Sequence, residues 1–165
     1  MKRVTQKIIL ALCKTRILFS AGCTGTKDTK KETIEHQDIQ TEIGKEKVSH
    51  TMKMKIIAAK IVKDDTVSEQ EQIVQVQFDI KNEGKEDSGI GAGDFMMKDD
   101  TGKTYSMYGN ADNFGDVIPV GKSLKGNGYY CVAKDGKELT VVYSPAVKQG
   151  MEEKTIEWKI GKPTK

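Results

Sequence analysis

The sequence predicts an all-β protein, an antiparallel sandwich of about seven short strands. Three observations carry that expectation. Apolar residues recur at every second position in several short runs, as they must where one face of a pleated strand is buried and the other wet. Polar clusters containing Gly, Asp or Asn separate these runs. No stretch sustains a helical period long enough for a packed helix.

The chain opens on an address rather than a strand. Met1–Cys23 has the order of a secretory signal. A basic start (Lys2, Arg3, Lys7) precedes Ile8, Ile9, Leu10, Ala11 and Leu12. A second apolar piece, Ile17, Leu18 and Phe19, leads to Ser20, Ala21 and Gly22, and polarity changes abruptly at Thr24. Small residues there suit a shallow peptidase pocket, and the Cys23 thiol can accept a diacylglycerol through a thioether. The run Ser20-Ala21-Gly22-Cys23 resembles the lipobox of bacterial lipoproteins, usually Leu-Ala-Gly-Cys. The resemblance implies signal cleavage between Gly22 and Cys23 and lipidation of Cys23. Ser20 stands where Leu is usual, and Cys13-Lys14-Thr15-Arg16 interrupts the apolar region. Each of those two charges costs a few kcal/mol at the centre of a membrane segment. An ordinary secreted signal cut nearby, and a short cytoplasmic helix with an accidental cysteine, are the competing readings.

Charge follows the same division. The formal net charge of +3 invites a nucleic-acid reading. Yet five of the basic residues and none of the acids lie in Met1–Cys23, so the remainder is slightly acidic. There Lys alternates with Glu and Asp, the pattern of a solvated surface rather than a phosphate-binding stripe. No nucleic-acid partner is expected. Of the three cysteines, Cys13 would leave with the signal and Cys23 would be acylated, leaving Cys131 alone and no intramolecular disulfide. Cys131 lies in Tyr130-Cys131-Val132 without a neighbouring His and reads as a buried structural thiol.

From Cys23 to His50 the chain is polar, and Ile34, Ile39, Ile43 and Val48 are too few to close a core, so residues 23–50 read as a lipidated cysteine and flexible tether. The domain is expected over residues 51–162. Met52, Met54 and Ile56 alternate with lysines. The apolar set then shifts to Ile57, Ala59 and Ile61, the mark of a bulge. Val74, Val76, Phe78 and Ile80 form the cleanest strand, and Asn82-Glu83-Gly84-Lys85 turns it. Phe95–Lys98 and Thr104–Tyr108 flank Asp99-Asp100-Thr101-Gly102, whose Gly suits a hairpin turn. Gly128–Ala133 and Glu138–Tyr143 flank Lys134-Asp135-Gly136-Lys137 in the same way. Ile156, Trp158 and Ile160 complete the set. Ser88–Gly93 is too glycine-rich to assign, and Gly109–Gly121 reads as a long irregular connection. Phe78, Trp158, Tyr130, Val76 and Val141 are the expected central residues.

These elements carry a resemblance. The piece IVQVQFDIKNEGKED, followed by DFMMKDDTGKTYS, resembles a telokin-like, immunoglobulin-fold domain of unknown function found in lipoproteins and secreted proteins of Gram-positive bacteria. The matching features are Ile80-Lys81-Asn82-Glu83-Gly84-Lys85, the hairpin Asp100-Thr101-Gly102-Lys103-Thr104-Tyr105, Pro119-Val120-Gly121 before Gly126-Asn127-Gly128-Tyr129-Tyr130, and Tyr143-Ser144-Pro145. The resemblance spans about Thr51 to Ile160. It implies an immunoglobulin-like sandwich, membrane-anchored or secreted, and no catalytic residues.

A search for chemistry adds little. Asn110-Ala111-Asp112-Asn113-Phe114-Gly115-Asp116 is loosely like a calcium loop but lacks a closing bidentate Glu, so a solvated loop is expected and no metal. His36 and His50 belong to the tether region and form no zinc cluster. Asp64-Asp65 and Asp99-Asp100 read as turn pairs pointing to solvent. No phosphate loop, nucleophile elbow or dinucleotide fingerprint is present, and no cofactor is expected. The Ser88–Gly93 run reads as a mobile loop or irregular edge strand more readily than as a ligand cradle. Tyr105, Tyr108, Tyr129 and Tyr130 place some hydroxyls at the surface or pack in the core.

The sequence therefore predicts a noncatalytic, lipid-anchored extracellular module whose loops and edges meet a protein or cell-wall partner. The alternatives are a structural or stress-related envelope protein without a ligand, and a metal-binding secreted protein.

Overall fold

The computed structural model describes residues 40–145 and 155–165. The signal segment with Gly22 and Cys23, His36 and most of the tether lie outside the described residues.

Ten strands follow in chain order: β1 (Glu46–Ser49), β2 (Met52–Val62), β3 (Glu71–Asn82), β4 (Ser88–Gly91), β5 (Phe95–Lys98), β6 (Thr104–Tyr105), β7 (Gly115–Ile118), β8 (Ser123–Ala133), β9 (Leu139–Tyr143) and β10 (Ile156–Gly161). One antiparallel sheet has the order β1-β2-β3-β8 and a second β10-β9-β5-β6, while β4 and β7 pair as a ribbon. The sequence-predicted all-β sandwich is what forms. The helical content of the described residues is one 3-10 turn, Ala92–Asp94, after β4.

Alternation dictates the packing. Val74, Val76, Phe78 and Ile80 turn inward from β3 and meet Phe95, Met97, Val141 and Trp158 from the opposite sheet, all within one buried cluster. The five residues expected at the centre are each 0% exposed. Phe78 stacks obliquely on Phe95 at 4.5 Å and on Phe114 at 5.2 Å between ring centroids, inside the favourable range for tilted aromatic pairs. Phe114 fits because β8 carries glycine opposite it: a Cβ on Gly126 would stand 2.3 Å from the Phe114 Cβ. The bulge predicted near Ile57 is present, with the β2–β3 register shifting between Ile56 and Ala58.

Four local expectations change. Glu46–Ser49, placed in the tether by its polarity, is a strand. Its inward-facing Ser49 is buried, and Ile43 just before it packs on the core. Four residues pairing with β2 are too short to reveal a period. His50 makes the two-residue turn into β2 with φ of 51°, a left-handed conformation that a non-glycine residue adopts at a cost. Gly102 has the positive φ expected of its hairpin, but Gly136 does not, and β8 and β9 are not paired. Residues 134–137 instead carry the chain from one sheet to the other. The glycine-rich run and the connection after it supply β4 and β7, whose pairing across Ser88–Gly91 and Gly115–Ile118 no local pattern announces.

Candidate functional site

Strand edges are the first place to look, because a row of unpaired amides and carbonyls invites another strand. Most edges here are occupied by the chain itself. Along β10, Glu42 N–H donates to the Lys159 carbonyl at 2.7 Å while Lys159 N–H donates to the Glu42 carboxylate at 3.1 Å. Hydrogen bonds from Lys47 and the Lys159 backbone hold that carboxyl below its ordinary pKa. Along β8, Phe114 N–H donates to Asn127 O at 2.8 Å and Tyr129 N–H to Asn113 Oδ1 at 3.0 Å. Beyond the end of β1, Gly44 N–H and Thr164 O bond the exposed edge of β2 at Ile56 and Ile61. In the ribbon, Asp116 and Asp94 accept from Val117 N–H and Gly91 N–H at 2.7 Å each. These contacts leave faces and loops, rather than edges, as the surfaces a partner reaches most readily.

The candidate chemical groups are mostly spent on structure. Asn110 Oδ1 accepts from Asp112 N–H, and Asn113 also donates to Tyr108 O, so the calcium-like loop folds on its own side chains. No group of three His, Cys, Asp or Glu among the described residues is placed to hold a metal ion. Tyr130 donates to Ala92 O, Tyr129 accepts from Gln75, Tyr105 donates to Asp99 and Tyr108 shares a hydrogen bond with Thr66. Cys131 is half-buried. Burial, with Glu71 and Asp64 nearby, raises its thiol pKa and keeps it protonated, the reverse of what a nucleophile requires.

Asp99 does not point to solvent. It accepts from Thr101 Oγ1 at 2.6 Å, Tyr105 Oη at 2.7 Å, Thr101 N–H at 2.9 Å and Lys103 N–H at 3.0 Å. The Thr101 and Tyr105 hydroxyls, foremost, draw its pKa down to about 2. Against an unfolded value of about 3.9, the folded state favours the carboxylate. The stabilisation is therefore complete above pH 4 and lost as pH falls through 4 toward 2. An Asp99→Asn variant is expected to lack that part of the acid dependence. Urea midpoints measured for both proteins across this window should converge at the acid end; parallel curves would contradict the assignment.

A cleft of about 650 Å³ lies at the β2–β3 loop, with Ile61, Val62, Val67 and Ile73 among its apolar lining and Asp64, Glu69, Glu71, Lys63 and Lys134 among its polar one. Lys134 is committed to the Glu69 carbonyl at 2.6 Å and Lys63 to Asp65. His50, the histidine among the described residues, sits in the β1–β2 turn rather than here. On the cleft lining Ser68 Oγ donates to the Glu71 carboxylate at 2.8 Å, and no histidine stands among the lining residues to activate that hydroxyl.

Sequence reasoning missed a different feature, the outer face of the β1-β2-β3-β8 sheet. Register places Glu46, Lys55, Asp79 and Lys125 in one cross-strand row and Val48, Lys53, Lys81 and Ser123 in the next. Lys60, Gln75 and Tyr129 form a further row. The strand alternation was legible, but which lysines become neighbours depends on pairings between distant segments.

Known proteins share this architecture. The uncharacterized lipoprotein YcdA of Bacillus subtilis (strain 168) is 26% identical over 152 residues, covering 87% of this chain and 40% of that protein. The chain therefore spans less than half the length of that curated relative. The crystal structure of the putative lipoprotein ycdA from the same organism superposes with a TM-score of 0.60 at 25% identity, covering 70% of this chain and 38% of that one. The yjhA protein from Bacillus subtilis gives 0.53 at 14% identity, with 73% and 99% covered. The secreted protein MPT63 of Mycobacterium tuberculosis gives 0.50 at 17%, with 72% and 94% covered. These last two likenesses concern the fold. Residues 37–154 match the model of the domain of unknown function DUF4352, and the chain belongs to that family.

Proposed function

We propose that this chain is an extracellular lipoprotein, anchored through Cys23, whose sandwich domain is a noncatalytic binding or interaction module at the cell envelope. One observation carries the reading. The likeness to a lipoprotein covers 87% of the chain, more than residues 37–165 supply, so it extends upstream of Gln37 into the segment that contains Ser20-Ala21-Gly22-Cys23. The remainder of that segment then acts as a tether between lipid and domain. An immunoglobulin-like arrangement is supported by strand order: β2-β3-β8 facing β10-β9-β5-β6 corresponds to strands A-B-E facing G-F-C-C′. Noncatalytic action is supported by the spent polar groups and the protonated Cys131.

A Cys23→Ala variant tests the anchor. The native protein should take up labelled palmitate and sediment with membranes. The variant should lose the label and move to the soluble or secreted fraction. Unchanged fractionation and labelling would overturn the reading. Crosslinking on intact cells with both proteins then identifies any envelope partner that depends on anchoring.

A further inference from the structure

We infer that the outer face of the β1-β2-β3-β8 sheet docks on an anionic phospholipid surface. The membrane's proximity rests on the anchored reading above, whereas the chemistry of the face does not. Lys53, Lys55, Lys60, Lys81 and Lys125 all project from this face, against Glu46, Glu71, Asp79 and Glu83. The protein beyond Cys23 is slightly acidic, so the balance on this face is shifted toward positive charge relative to the rest of the chain.

Lys53 stands directly across from Lys81 in the β2–β3 register. Like charges directly opposed destabilise a sheet pair. Glu83 relieves the pair only in part, at 3.9 Å from Lys53 and 3.1 Å from Lys81. Solubility alone would be served as well by an acid at either position. The remaining ion pairs on the face run from 3.1 to 4.0 Å between half-exposed groups, such as Lys53–Glu46 and Lys55–Asp79. Pairs of this kind contribute little and are easily exchanged for phosphate.

Two features favour a lipid surface over an extended polyanion. The lysines of the face spread over adjacent strands about 4.8 Å apart, in a two-dimensional array broken by two open hollows of about 200 and 330 Å³, rather than along one line. Val48, 47% exposed, lies in the same row as Lys53 and Lys81. An aliphatic side chain among lysines suits an interface with phosphates above and hydrocarbon below. The stretch from Cys23 to Glu46 reaches at most about 80 Å, so an anchored domain would meet the surface at high effective concentration.

The test uses the full chain carrying Cys23→Ala, which removes any lipid contribution. It is floated with vesicles of phosphatidylcholine alone and of equal parts phosphatidylcholine and phosphatidylglycerol. Each lysine near such a surface contributes about fivefold in partitioning, partly offset by the carboxylates. Adding Lys53→Gln, Lys55→Gln, Lys81→Gln and Lys125→Gln together should therefore lower partitioning into the anionic vesicles by roughly tenfold or more. The difference should vanish near 0.5 M salt, where screening shortens to roughly 4 Å. A control carrying Lys98→Gln and Lys159→Gln, on the opposite sheet, should match the parent. Equal partitioning of the four-lysine variant and the parent would overturn the proposal. Should that variant unfold, amine labelling of the parent decides instead. Lys53, Lys55, Lys81 and Lys125 should be protected by anionic vesicles while Lys98 and Lys159 are not, and equal labelling overturns the proposal. Failure of the anchor would show only in the fractionation and palmitate experiment.

Discussion

Replacing Trp158 with alanine is expected to cost about 3–5 kcal/mol of folding stability, the range for truncating a fully buried large aromatic. That is comparable with the whole stability of a small domain. Trp158 is 0% exposed and lies opposite Val141 in the β9–β10 register. Its role exceeds volume. The indole N–H donates to the Lys45 carbonyl at 3.1 Å, and the Lys47 ammonium stands 5.7 Å from the ring centroid. Both partners flank the start of β1, so one side chain of the second sheet fastens the entry strand of the first. Trp158→Phe separates the two effects. It keeps most of the apolar contact but leaves the Lys45 carbonyl without its donor, an expected cost of about 1–3 kcal/mol. Because Trp158 is the only tryptophan, urea unfolding is followed by circular dichroism rather than fluorescence. Alanine and phenylalanine variants with equal midpoints would show that the indole hydrogen bond, not the packing, dominates.

What could be read from the sequence was what repeats locally. Val74, Val76, Phe78 and Ile80 announce β3 because burial on one face forces alternation over a long strand. Gly102 announces its turn because few other residues tolerate its φ of 87°. Gly136 looked equivalent, but whether two neighbouring strands pair or diverge depends on which partners each finds elsewhere. β8 finds β3, and β9 finds β5 and β10. Asp99 misled for a similar reason. As one of two adjacent acids on a turn it reads as solvated, yet Thr101 within the turn and Tyr105 beyond it both donate to its carboxylate and hold it inward. The candidate surfaces divide the same way. The proposed lipidation site at Cys23 is legible because the peptidase proposed to act there would read contiguous residues. The lysine face is not, because Lys53, Lys81 and Lys125 become neighbours only through the register of three strands.

Asn82 shows how much a single residue beyond local pattern can hold, and an Asn82→Asp change should expose it. In the sequence Asn82 is simply the first residue of a turn. In the fold it is 0% exposed, and its side chain donates to Glu86 O at 2.8 Å and Ile118 O at 2.9 Å while accepting from Gly84 N–H at 2.8 Å. Its backbone bonds Lys122 O and Gly121 N–H as well. One amide therefore joins the end of β3 to the approach to β4 and the end of β7, closing that end of the sandwich. A carboxylate of the same shape would set a negative oxygen against two carbonyls that require donors. Such an uncompensated buried charge is expected to cost about 3–5 kcal/mol at pH 7. The neutral acid can still donate to one carbonyl, so the folded-state pKa of the new carboxyl rises above its unfolded value of about 3.9. The deficit is then largest above that raised pKa and shrinks as pH falls toward 4. What persists there is the loss of one donor, about 1–3 kcal/mol. Asn82→Leu, which has no titrating group, should show a deficit that stays constant over the same range. Urea midpoints at pH 7 and pH 4.5 for both variants and the native protein decide the matter. A pH-independent deficit in Asn82→Asp would mean that water reaches the site and that the two carbonyls do not rely on Asn82.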